Sequence, residues 1–63
     1  MKKQFVRFLL DEARVENTIN ELIKIENEAG AVLKNIKHCT YPEYVRDEED
    51  LSTFFILLFE YEE

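Results

Sequence analysis

The chain has 63 residues, with 14 Asp/Glu against 8 Lys/Arg for a formal charge of -6, and 46% hydrophobic residues including five Phe and three Tyr. A folded chain of this length buries only about 60% of the surface its unfolded form exposes, so 1–63 is read as one small domain with a marginal core. The single Cys excludes an internal disulfide framework, and the aromatic content argues against a solvated, disordered tail.

Charge narrows the partners. Lys2, Lys3 and Arg7 make the N-terminal end basic, whereas Glu43 to Asp50 and Glu60 to Glu63 are acid-dominated. Binding a nucleic-acid backbone draws on Lys and Arg to displace counterions, so direct nucleic-acid binding is not expected. Met1 to Leu10 lacks the features of a secretory signal, because Arg7 interrupts a short apolar stretch and Asp11-Glu12 follow it. The apolar run from Phe54 to Phe59 is far shorter than the roughly 20 residues that span a bilayer. A cytoplasmic protein without a membrane segment is the expectation.

Residues 4–10 (QFVRFLL) alternate as a strand, with Val6, Phe8 and Leu10 on one face and Phe5, Arg7 and Leu9 on the other. From Asp11 the period lengthens. Val15, Ile19, Leu22, Ile23, Ile25 and Ala29 form the apolar stripe of an amphipathic helix over about 12–29, with Asp11 as its expected N-cap and Gly30 as its left-handed C-terminal stop. Residues 32–41 form a second strand with Ile36, His38 and Thr40 on one face and Lys37, Cys39 and Tyr41 on the other. Its mixed polarity suits a sheet edge, and Pro42 is expected to end it. Residues 43–52 read as a long acidic loop. Residues 53–61 (TFFILLFEY) form the most apolar strand, with Phe54, Ile56 and Leu58 on one side and Phe55, Leu57, Phe59 and Tyr61 on the other.

The predicted fold is therefore α+β, in the order β-α-β-β. A right-handed crossover sets the first two strands parallel, and the third inserts antiparallel between them to give the order 2-3-1. One helix covers one face only, yet the central strand is apolar on both. The face carrying Phe5, Leu9, Phe55, Leu57, Phe59 and Tyr61 is assigned to the interface of a homodimer or larger homo-oligomer, since contiguous apolar patches of several hundred Å² are seldom left bare.

Catalytic machinery is not evident. His38 and Cys39 are neighbours on a strand and point to opposite faces, and they are the only His and Cys, which is too few for a tetrahedral metal site within one chain. The acidic run Asp47-Glu48-Glu49-Asp50 lacks the spaced ligands and central Gly of a calcium loop. No enzyme activity, metal or cofactor is expected. One constellation suggests binding: Tyr41, Tyr44 and Arg46 flank Pro42, with Lys37 and His38 just upstream. Aromatic rings stack bases and cationic groups meet phosphates, so these five residues are the candidate site for a small nucleotide-like ligand between subunits.

The succession FVRFLLDE, VENTINELI, VLKNIKHC and FFILLFEY resembles the small sporulation-associated proteins of bacilli and their relatives in phages of Gram-positive bacteria. The resemblance implies a small cytoplasmic non-enzyme. Small phage proteins of this build are also similar to inhibitors and nucleotide sponges that blunt bacterial immunity. Two functions follow as expectations. One is sequestration of a nucleotide-like ligand by a homo-oligomer; the other is an acidic inhibitor or adaptor that binds a host protein or mimics nucleic acid.

Overall fold

A computed structural model describes residues 1–45 and 48–63. In chain order it contains β1 (Lys2–Leu10), α1 (Val15–Glu28), β2 (Ala31–Val45) and β3 (Glu48–Glu62). β3 lies between β1 and β2 and is antiparallel to both. The α+β class, the central place of the last strand and the common direction of the first two all agree with the sequence pattern.

The helix starts at Val15, the first residue of its apolar stripe, and so later than a cap at Asp11 would place it. A backbone turn closes from the Val15 N–H to the Glu12 carbonyl at 3.1 Å, and Arg14 precedes the helix with a left-handed φ of 69° and no side-chain cap. Asp11 is not the N-cap. Its backbone N–H continues the ladder to the Thr53 carbonyl at 2.9 Å, and its Oδ2 lies 2.9 Å from His38 Nε2 and accepts from Thr53 Oγ1 at 3.0 Å. With two side-chain partners on the sheet, the carboxylate is held away from the helix end. The other end matches expectation: Gly30 adopts φ 94°, and its N–H donates to the Asn27 carbonyl at 3.0 Å.

β2 and β3 are longer than predicted and absorb most of the expected acidic loop. Pairing runs from Ala31↔Tyr61 to Val45↔Glu48, passing straight through Pro42↔Leu51. Pro42 does not stop the strand because β2 is an edge, where a residue without an N–H is tolerated if that side of the backbone faces outward. The expected 43–52 loop is thus paired strand wherever it is described.

β2 also contains a bulge. Leu33 faces Phe59 and Asn35 faces Leu58, which leaves Lys34 as the extra residue. The bulge shifts the phase of the side chains, so Ala31 and Leu33 share a face with Ile36 and His38 although their numbers differ in parity. This is the physical reason that no single alternation runs through the whole of 31–41.

The core sits between α1 and one face of the sheet. Ala31, Leu57 and Phe59 are buried, and Ile19, Leu22 and Ile23 from the helix pack against them together with Phe5, Leu9, Leu33, Phe55 and Tyr61 from the strands. Phe5 stacks on Phe59 with centroids 5.4 Å apart, and Tyr61 meets Phe5 at 5.9 Å. Ile25, assigned to the stripe by its spacing, is 59% exposed. It lies two residues beyond Ile23, about 200° around the helix.

This arrangement corrects the assignment of sheet faces. Phe5, Leu9, Phe55, Leu57, Phe59 and Tyr61 were expected to meet a second subunit, but they line the core beneath the chain's own helix, with Leu57 and Phe59 fully buried. Arg7 is the charged residue between Phe5 and Leu9 in their row on β1. Its guanidinium reaches the rim, 4.9 Å from the Phe5 ring centroid and 3.5 Å from Glu26 Oε1, as a long cationic side chain can while its base stays over apolar surface. A long cationic side chain near a sheet edge therefore does not exclude the helix from that face.

Candidate functional site

The opposite face of the sheet has no layer over it among the described residues. Cross-strand partners share a face, so Val6↔Leu58, Phe8↔Ile56 and Leu10↔Phe54 form its centre, and the register adds Val32, Lys37, Cys39 and Tyr41 from β2. Several of these side chains are open to solvent: Phe8 is 65% exposed, Leu10 61%, Val32 58% and Val6 43%. Three rings cross the sheet in a row, Phe8 to Phe54 at 6.3 Å and Phe54 to Tyr41 at 5.4 Å. One β-strand supplies each ring, so the row is fixed by strand register rather than by a loop.

The polar fringe lies at the end of this face near the chain termini. Gln4 Nε2 donates to Glu60 Oε2 at 3.2 Å, and Lys2 Nζ stands 3.5 Å from Glu60 Oε1. The amide hydrogen bond from Gln4, helped by the charges of Lys2 and Lys34 and partly opposed by desolvation, holds the Glu60 carboxyl below its ordinary range. Met1 also closes this end, its amino group 3.2 Å from Glu62 Oε1.

The five residues chosen from sequence as a ligand site do not form one cluster. Lys37 and Tyr41 take the open face, opposite Ile56 and Ser52 in the register. His38 takes the helix side, stacked on Phe55 with centroids 4.5 Å apart and rings within 16° of parallel. Tyr44 belongs to β2 and pairs with Glu49, whereas Arg46 lies outside the described residues, as does Asp47 of the acidic run.

What sequence reading missed is the Asp11–His38–Thr53 cluster, which ties the end of β1 to both other strands through one carboxylate. Its signal was weak, because the three residues are far apart in the chain and Asp11 also fits a helix cap. The imidazole is not paired with a hydroxyl or thiol in this cluster: the Thr53 hydroxyl donates to Asp11, and Cys39 points to the other face by register. Among the described residues, no group of three or more His, Cys, Asp or Glu is placed to hold a metal. No described helix is long and apolar enough to cross a membrane.

On the helix side, a groove of about 410 Å³ is lined by Phe5, Arg7, Glu26, Ala29, Ala31 and Tyr61. Its one cation is already opposed by Glu26 and rests on Phe5, so the groove presents no unopposed charge to a ligand.

No family model, curated protein or solved structure matches the chain.

Proposed function

We propose that the protein is a non-catalytic binding module that works as a homo-oligomer and uses the open sheet face as its association surface. The observation that carries this reading is the continuous apolar patch of Val6, Phe8, Leu10, Phe54, Ile56 and Leu58, with Phe8 and Leu10 each more than half exposed. A second copy is the partner that fits. Sheets pack face to face about 10 Å apart with interdigitated side chains, and a two-fold axis brings the same patch from each copy into register with itself.

The energetics favour association without demanding great affinity. A patch of three strands by five residues covers ~240 Å² per subunit, and burying both sides at about 25 cal/mol per Å² yields ~12 kcal/mol of gross stabilisation. Association costs of about 4–15 kcal/mol must be subtracted. The expected outcome is a dimer near micromolar concentration rather than a permanent one. Sedimentation velocity across the micromolar range tests this. Mass rising above 7.6 kDa with concentration, and restored to one subunit by Ile56→Lys, supports the reading; a single 7.6 kDa species throughout contradicts it.

The aromatic row supports a second reading. Phe8, Phe54 and Tyr41 with nearby Lys37 form a platform on which a base could stack while the ammonium meets a phosphate. This reading keeps the nucleotide-like ligand expected from sequence, with Tyr41 and Lys37, but moves it onto the open face without His38, Tyr44 or Arg46. A rise in melting temperature with cyclic or ADP-ribose-type nucleotides, lost in Tyr41→Ala, is its expected signature. The absence of any shift across such a panel would remove it.

A further inference from the structure

The two edges of the sheet are not equally protected. β2 carries the Lys34 bulge and Pro42, both of which hinder the addition of another strand. β1 has neither: all nine residues from Lys2 to Leu10 pair with β3 in unbroken register. The direction of its outer hydrogen-bonding groups follows from the ladder. The Asp11 N–H donates to the Thr53 carbonyl, and the Met1 carbonyl accepts from the Glu63 N–H. Odd-numbered positions therefore face β3. Because the two kinds of pair alternate in an antiparallel ladder, the N–H and C=O of Lys2, Gln4, Val6, Phe8 and Leu10 point outward from the free edge.

We propose that β1 is also a self-pairing strand, joining two copies edge to edge in antiparallel fashion about a two-fold axis at Val6. Only registers that set an even position opposite an even position bring donors to acceptors. Of these, the one that uses the whole strand places Val6 against Val6, Gln4 against Phe8 and Lys2 against Leu10 of the second copy. Charge favours the same direction. Lys2 and Lys3 lie at one end of the strand and Asp11-Glu12 at the other, so antiparallel pairing sets unlike charges together and parallel pairing would set like charges together. On the helix side, Arg7 comes opposite Phe5 of the second copy, the ring type its guanidinium already covers within its own chain at 4.9 Å.

This contact rests on the homo-oligomer reading above and adds a second surface to it. The open patch alone is small beside the ~800 Å² per partner of a standard stable interface. Edge pairing joins two sheets into one of six strands, so two open faces become a single larger surface.

Amide hydrogen exchange on the wild-type protein, followed by NMR at tens of micromolar and at millimolar concentration, tests the edge directly. The Gln4, Val6 and Phe8 amides should slow by about tenfold or more at the higher concentration, as newly hydrogen-bonded groups do. If they exchange freely at both concentrations while Phe5, Arg7 and Leu9 stay protected, the edge proposal is overturned and face packing is left untouched. A pair of variants gives a second test. Val6→Pro removes an outward donor at an edge position where proline leaves the β3 ladder intact, and Val6→Thr keeps both the N–H and the branched shape. Loss of assembly in Val6→Pro alone supports the edge. Equal assembly in both, or equal loss in both, overturns it, and equal loss assigns the effect of Val6 to its side chain on the open face. Should Val6→Pro fail to fold, the wild-type exchange pattern decides.

Discussion

Phe59→Ala separates a core residue from an interface residue. Phe59 is fully buried, stacks on Phe5 at 5.4 Å and belongs to the cluster packed by Ile19, Leu22 and Ile23. Removing a buried phenyl ring costs about 3–5 kcal/mol through lost transfer energy and the cavity left behind. A chain of 63 residues has a total stability of about 3–9 kcal/mol at typical values per residue. The substitution therefore removes a third of the stability at the least and all of it at the most. With a urea m-value near 1 kcal/mol/M for so small a domain, the unfolding midpoint should fall by about 3 M or the chain should be unfolded at the start. Far-UV circular dichroism at sub-micromolar concentration is the assay, because dilution keeps association from adding to the measured stability. Ile56→Ala, one strand position from the core residue Leu57 but on the open face, should move the midpoint by less than about 1 M under the same conditions. If Phe59→Ala kept its midpoint at dilution and lost only its ability to self-associate, the assignment of the two faces would be refuted.

Two further substitutions probe local features. Arg14 holds φ 69° at the third position of the Glu12–Val15 turn, where an L-residue with a Cβ loses roughly 1–2 kcal/mol. Arg14→Gly should stabilise by about 1 kcal/mol and raise the melting temperature by about 4–8 °C, and a fall in melting temperature would contradict the strain. Gln4→Ala removes the hydrogen bond that contributes most to lowering the Glu60 pKa. Because that pKa is lowered in the folded state, the contribution of Glu60 to stability is complete above the ordinary carboxylate range and is lost as pH falls through the lowered value. A carboxyl ¹³C NMR titration should show the Glu60 midpoint move upward in Gln4→Ala; an unmoved midpoint would rule out the hydrogen bond as the cause.

The topology could be read from the sequence because each element carried its own signal. The period changes after Leu10, Gly30 stops the helix, and Thr53 to Tyr61 is too apolar for an edge. What could not be read was which side of that strand the helix covers. Both rows of β3 are apolar, so alternation finds two candidate faces and no preference between them. Arg7 does not decide it either, because its charge suggests solvent while its length lets it reach Glu26 at the rim of the covered face. The extent of the hairpin was hidden for a different reason. Pro42 and the acids after it have the composition of a loop, and only their cross-strand partners, such as Leu51 for Pro42, make them strand. The ligand residues were chosen by nearness in sequence, and a strand sends neighbours such as Lys37 and His38 to opposite faces.

The central claim is that a second copy docks on the face bearing Ile56 rather than the face bearing Leu57. An isotope-filtered NOE experiment on a mixture of ¹³C-labelled and unlabelled protein reads contacts between copies and nothing else. The account predicts cross-copy NOEs among the methyl and ring protons of Val6, Phe8, Phe54, Ile56 and Leu58. Cross-copy NOEs from Leu57 and Phe59, or none at all at millimolar concentration, would contradict it.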